Sequence, residues 1–187
     1  MRKLVFAFGL VCLSATLAKA QASAFEPFEL YGGYDYAHFN INADVAGQPP
    51  SQTYNANGGG GQFVYNVNNW LGVLGDAGGY WATSGTRAGA AVPYLFGPRV
   101  NLHRGTVTPF TDVLFGGVAT SSGLESLGWQ SHFALAAGGG VDVRVSRHFS
   151  IRPAQAEYFM TKIPDGLNNR QDNFRFSTGV SFLLGRQ

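Results

Sequence analysis

Stretches of ten to fourteen residues in which apolar side chains alternate with small or polar ones recur along this chain, separated by clusters of Asn, Gly, Pro and Ser. Alternation with a period of two places successive side chains on opposite faces of an extended strand, and about ten such residues, tilted, suffice to cross a bilayer. Eight segments of this kind are readable, beginning near Phe28, Gly59, Leu71, Val92, Val107, His132, Phe149 and Asn173. Their connections alternate in length. Longer ones run from Asn42 to Gly58, Thr83 to Ala91, Thr120 to Ser131 and Pro164 to Asp172, and tight ones fall at Asn68-Asn69, His103 to Thr106 and Ser146-Arg147-His148. Strict alternation of this sort predicts an all-β fold of four hairpins, an eight-stranded antiparallel up-and-down transmembrane β-barrel, with short turns on one side and longer external loops on the other.

Face by face, the end strands separate apolar from polar. Phe28, Leu30, Tyr34 and Tyr36 share one face of the first segment, and Glu29, Asp35 and Ala37 the other. In the last, Phe174, Phe176, Val180 and Phe182 oppose Asn173, Arg175, Ser177, Gly179 and Ser181. A soluble barrel would bury the first set and expose the second. Parity alone does not choose between the two topologies, but the apolar face holds more large side chains than a narrow eight-stranded interior can take, and charges sit mid-strand on the minority face. The reading that follows is apolar outward and charged inward.

Residues 1–20 are read as an export signal and not as structure: Arg2 and Lys3, then the apolar run Leu4 to Leu17, then Ala18-Lys19-Ala20 as a cleavage site. The run is too short for a spanning helix, which needs roughly 20 apolar residues. Cys12 lies within it without a lipobox, so lipidation is not expected. Residues 21–187 form the barrel domain. The whole chain has 13 Lys and Arg against 11 Asp and Glu; removal of Arg2, Lys3 and Lys19 leaves 10 against 11, a net charge of −1, which gives no electrostatic reason to bind nucleic acid. Losing Cys12 leaves no cysteine, so neither disulfides nor thiolate metal sites are available. Charged residues make up only 13% of the chain against about 25% in ordinary soluble domains.

The segments FELYGGYDYAHF (28–39), GGGGQFVYNVNNWLGVLGDAGGY (58–80), YLFGPRVNLHRGTVTPFTDVLFGG (94–117), GGGVDVRVSRHFSIRPAQAEYF (138–159) and FRFSTGVSFLLG (174–185) resemble, in order and spacing, the small outer-membrane β-barrels related to the membrane domain of OmpA. The stretch from Asn66 to Leu71, Gly97-Pro98-Arg99 and the Gly-rich sixth segment carry most of the likeness. It implies a bacterial outer-membrane location, membrane lipids as surroundings and the barrel-assembly machinery as a partner in biogenesis. A monomer is expected, with no peptidoglycan-binding domain after the barrel. Family members usually finish on an aromatic residue, whereas Phe182 here is followed by Leu-Leu-Gly-Arg-Gln. Gly179, Phe182 and Leu184 still resemble the polar-Gly-hydrophobic assembly signal of a final edge strand.

Asp35, Asp76, Arg99, Asp112, Asp142, Arg144, Glu157 and Arg175 fall on the inner faces of the segments and are expected to form a lumen charge network, because a midplane cation facing lipid costs roughly 2–4 kcal/mol. Arg152 has the opposite parity to Glu157, and is expected either at the lipid interface or at a bulge near Pro153. Trp70, Trp81, Trp129, Tyr94, Phe149 and Phe159 are expected in aromatic girdles at the two bilayer surfaces. No catalytic role is expected. His148-Phe149-Ser150 resembles the His-x-Ser of outer-membrane lipid A deacylases, but Glu157 is too far along the strand to orient the imidazole. The Gly clusters do not follow a strand-to-helix plan and are not phosphate loops, the four histidines lack metal-ligand spacing, and no cofactor is expected. The leading functional expectation is a structural or surface-interaction barrel acting through its external loops; a narrow solute pore and a lipid-modifying enzyme are the alternatives.

Overall fold

A computed structural model of the chain describes residues 26–41, 52–84, 87–121, 128–164 and 169–185, so the export signal read at 1–20 lies outside the described residues. Among the described residues every regular element is a strand: β1 Phe28–Ile41, β2 Gln52–Asn66, β3 Leu71–Ser84, β4 Arg87–Asn101, β5 Val107–Ser121, β6 Trp129–Arg144, β7 Phe149–Thr161 and β8 Gln171–Leu184. Each pairs antiparallel with its sequence neighbours. β1 also pairs with β8, from Phe28 opposite Leu184 to His38 opposite Phe174, which closes the barrel in the order β1-β2-β3-β4-β5-β6-β7-β8. Closure leaves no unpaired strand edge, the condition under which extended backbone can cross a bilayer.

The eight-stranded all-β architecture expected from the alternation is the one observed. Boundaries differ at one end. β2 starts at Gln52 and not near Gly59, β4 at Arg87 and not near Val92, β6 at Trp129 and β8 at Gln171, each earlier than its apolar run. Backbone pairing continues beyond the apolar belt: Thr53 and Asn55 of β2 stand opposite Asn40 and His38 of β1, and the Asn55 amide oxygen bonds His38 Nδ1 at 2.7 Å. Hydrophobic patterning cannot mark a strand end that sits in water. As a result β3 ends at Ser84 and β4 begins at Arg87, so this connection is as short as a turn and the strict long-short alternation is not kept.

The wall is inside-out relative to a soluble barrel. Phe63, Phe96, Phe174, Phe176 and Val180 are each at least half exposed on its outer surface, whereas Arg99, Arg152 and Arg175 are at most 1% exposed inside. Such a contiguous apolar exterior is not a water-facing surface; it is a solvent match for lipid. Close strand approach is required at Gly97, where a Cβ would lie 2.0 Å from the Val113 carbonyl oxygen of β5.

One register shift matters to the interior. Arg152 pairs with Gly179 and Gln155 with Ser177, so β7 advances three residues while β8 advances two. A β-bulge at Pro153-Ala154 absorbs the extra residue, at a position where proline has no N–H to lend the ladder.

Candidate functional site

The sequence places short polar side chains and ionisable groups at alternate positions of every strand, and closure turns that face into one lumen. Of the charged residues expected there, Asp35, Asp76, Arg99, Asp112, Asp142, Glu157 and Arg175 are buried inside the barrel. Arg144 is not gathered with them. It lies at the end of β6, partly exposed, and grips Glu26 with both terminal nitrogens, Nη1 reaching Oε1 at 2.5 Å. This pair closes the mouth at the end where β1 begins and β8 ends.

Most of the buried groups belong to one hydrogen-bonded chain. Asn66 Nδ2 donates to Glu29 at 3.0 Å and Asn101 Nδ2 to Asn66 at 3.0 Å; Arg99 Nε donates to Asn101 at 2.8 Å and its Nη2 to Asp142 at 2.5 Å. Arg152 donates from Nε to the other Asp142 oxygen at 2.7 Å, and from Nη1 to Gln62 at 2.6 Å and Gln155 at 2.7 Å. Gln62 Nε2 passes the chain to Asp76 at 2.9 Å. Arg175 then bridges Asp76, from Nη1 at 2.8 Å, and Glu157, from Nε at 2.6 Å. Seven of the eight strands supply a member, all but β5.

Aromatic faces support the cations. The Arg99 and Arg152 guanidinium carbons lie 3.8 and 4.4 Å from the centre of the Phe110 ring, and Arg152 also lies 4.1 Å from that of Tyr31. Stacking of this kind compensates a guanidinium for the hydration it has lost. Beside the charged column, Val64, Leu74, Leu95, Leu114, Val118 and Phe159 make a buried apolar cluster within the same lumen, with Phe39 packed against it. The interior is thus a packed core in which the guanidiniums of Arg99, Arg152 and Arg175 are buried.

Arg152 was the residue that parity alone misplaced. Simple alternation from Glu157 assigns it to the lipid face; the bulge resets the count, so that Ser150, Arg152, Gln155 and Glu157 all point inward. Two aromatic positions are also corrected. Phe159 is 1% exposed, inside the barrel on the same face as Glu157, and Tyr94 is outward but in the middle of β4, because that strand begins at Arg87. Trp70, Trp81, Trp129 and Phe149 are exposed near the ends of their strands or in the adjoining turn. Gln62, Asn66, Asn101 and Gln155 are members that the sequence reading did not name; Asn101 shares parity with Arg99 and Gln155 with Glu157, whereas β2 carries no charged residue to mark the inward face of Gln62 and Asn66, and Glu29, placed on the face of Asp35, was not counted among the lumen charges.

His148 is exposed at the β6–β7 turn while Ser150 is buried inside the wall, so the two face different media and do not form a nucleophile-base pair. Among the described residues no three His, Cys, Asp or Glu side chains are gathered as a metal-binding group. Phe182 and Leu184 are outward on β8, and Gly179 packs where a Cβ would meet the Gly32 carbonyl oxygen at 2.4 Å.

No family model matches the chain, and no curated protein matches it. Among solved structures it is similar to Neisserial surface protein A (NspA), with a TM-score of 0.64 and 16% identity, covering 83% of this chain and 97% of that one. It is also similar to Ail, the attachment invasion locus protein of Yersinia pestis, with a TM-score of 0.52 and 19% identity, covering 86% of this chain and 100% of that one. At such identities the likeness describes the fold. By fold, this chain is a small closed eight-stranded antiparallel β-barrel of the kind those two proteins have.

Proposed function

We propose that the protein is an integral barrel of the bacterial outer membrane whose lumen is a structural plug and whose working surface is the rim formed by the β1–β2, β3–β4, β5–β6 and β7–β8 connections. The observation that carries this reading is the burial of Arg99, Arg152 and Arg175 in a filled interior behind an apolar exterior. A barrel wall of this kind needs lipid outside, and a lumen packed with paired guanidiniums leaves side chains at the rim as the groups free to meet a partner. In this reading the start of β1, the end of β8 and the tight turns lie at the periplasmic end, and the opposite rim faces outward.

The strands that extend beyond the apolar belt support the same reading, because they lift the rim away from the bilayer on a paired, rigid base. His38 of β1 is tied to Asn55 of β2 at this height. The name of Ail refers to attachment and invasion, which fits a small barrel acting through its outer rim. Catalysis is not part of the proposal. Planar-bilayer recording of refolded protein tests it: no discrete conductance steps are expected, and steps that persist in protein freed of porin contaminants would instead support a pore.

A further inference from the structure

Two of the tight turns repeat one pattern. Val100, Leu102 and Arg104 alternate along the end of β4 and its turn, and Val143, Val145 and Arg147 along the end of β6 and its turn, so each apolar row finishes on an arginine. Leu102 and Val145 are 54% and 63% exposed, and Arg104 and Arg147 are exposed beyond them. Arg104 shares the outward face, because it pairs with Val107 across a turn that Gly105 makes with a φ of 65°, and Val107 lies on the lipid side of β5. Arg147 stands within the β6–β7 turn, which is tied by the Val145 N–H donating to the Phe149 carbonyl at 3.0 Å. Val107 also stands opposite Val143, and the Arg144 N–H donates to the Thr106 carbonyl at 2.8 Å, so the two turns adjoin on one sector of the rim. The third tight turn, from Val67 to Trp70, carries no charge.

The described carboxylates lie elsewhere. Those of the lumen are buried, Glu26 is held by Arg144, and Asp172 is at the opposite end, where Arg170 Nε donates to it at 2.9 Å. The outer face of this sector is therefore cationic where the apolar belt gives way to water, the level that headgroups occupy in a bilayer. Guanidinium matches phosphate oxygens in bidentate pairs. A zwitterionic headgroup answers its own phosphate with an ammonium group. An anionic one does not, and gains about fivefold in association for each arginine close to the surface.

We propose that the β4–β5 and β6–β7 turns retain anionic phospholipids of the periplasmic leaflet, with Arg104 and Arg147 taking headgroup phosphates and Leu102 and Val145 the adjoining chains. Each arginine serves a headgroup by itself, so neither needs the other within reach. Apolar side chains beside the cations favour a lipid over a soluble anionic polymer such as peptidoglycan. The choice of leaflet rests on the orientation proposed above; contact of these turns with a headgroup layer does not.

The test is local quenching of tryptophan by brominated lipid. One protein carries Leu102→Trp with Trp70, Trp81 and Trp129 changed to Phe, and a second keeps Trp81 alone at the opposite end. Both are refolded into phosphatidylcholine vesicles containing increasing brominated phosphatidylglycerol. At position 102 about a fivefold preference for phosphatidylglycerol over phosphatidylcholine is expected, and at Trp81 none. Adding Arg104→Gln and Arg147→Gln is expected to abolish the preference at position 102, as is about 1 M sodium chloride, which screens charges beyond about 3 Å. Strong quenching at position 102 without headgroup preference, or a preference that survives both arginine changes, would overturn the proposal. So would loss of the preference to inorganic phosphate at constant ionic strength, which would assign the arginines to free phosphate. Absence of quenching by any brominated lipid at either position would instead contradict the membrane barrel itself. Should the tryptophan changes prevent folding, native mass spectrometry of the unmodified protein released from mixed nanodiscs decides the matter: adducts enriched in phosphatidylglycerol are expected, and unenriched adducts contradict the site.

Discussion

Arg175 and Glu157 stand directly opposite each other on β8 and β7, and Arg175 Nε donates to Glu157 Oε2 at 2.6 Å while the same guanidinium holds Asp76 on β3. A single cation thus joins the last two strands to β3. Removing one partner of such a buried pair leaves an uncompensated charge, at a cost of roughly 3–5 kcal/mol. Arg175→Met is therefore expected to lower the unfolding free energy by about that amount, and the double change with Glu157→Gln to cost less than the sum of the single ones. Urea unfolding of the four proteins in detergent measures the coupling, and strict additivity would mean the two groups do not share the interaction seen here.

The two ends of the interior should respond differently. Arg152 is fully buried, with four hydrogen bonds to Asp142, Gln62 and Gln155, whereas Arg144 is partly exposed at the mouth beside Glu26. Arg152→Met is expected to cost several times more than Arg144→Met, for which about 0–1 kcal/mol is the scale of a solvent-screened pair. The same unfolding assay checks the ranking, and equal losses would argue against a dry lumen.

Much of this architecture is legible in the sequence because the period-two pattern is strong where lipid lies on one side and charge on the other. The inward placement of Asp35, Asp76, Arg99 and Arg175 follows from parity within single strands. Parity fails where its count is interrupted. The bulge at Pro153-Ala154 turned Arg152 inward, and only a proline in mid-strand signalled it. Residue type misleads in a second way: Phe159 was assigned to a girdle because it is aromatic, yet it shares the parity of Glu157 and packs against Phe39 inside, ring centres 6.3 Å apart. Strand extension past the belt carries no hydrophobic signal, so Gln52 and Arg87 were not recognised as strand starts.

Glycines separate into those the wall needs and those it does not. At Gly97 a Cβ would meet the Val113 carbonyl oxygen at 2.0 Å, while at Gly32, outward on β1, it would meet nothing within 4 Å. Gly97→Ala is expected to destabilise by roughly 1–3 kcal/mol or to block folding, since backbone cannot move aside cheaply. Gly32→Ala is expected to stay within about 0.5 kcal/mol of wild type. Yield of the heat-modifiable folded band on detergent gels reports both.

On the outer surface the penalty for charge should depend on depth. Phe176, opposite Tyr36 and Ala156 in mid-strand, is half exposed, and Trp81 lies near the loop end of β3. Phe176→Arg is expected to cost roughly 2–4 kcal/mol in lipid vesicles and Trp81→Arg about 0–1 kcal/mol, the contrast between bilayer midplane and interface. Reversible unfolding from vesicles supplies the comparison, and similar costs at the two positions would place the apolar belt elsewhere.

The central claim is that this barrel meets lipid with one face of every strand and buries the other, and β8 offers the most direct measurement. Spin labels placed one at a time at positions 173, 174, 176, 177, 180, 181 and 182 of protein refolded into vesicles report collision with dissolved oxygen, which concentrates in lipid. High oxygen accessibility is expected at Phe174, Phe176, Val180 and Phe182, and low accessibility at Asn173, Ser177 and Ser181, matching their outward and inward placement. An inverted pattern, or one without a period of two, would contradict the inside-out barrel.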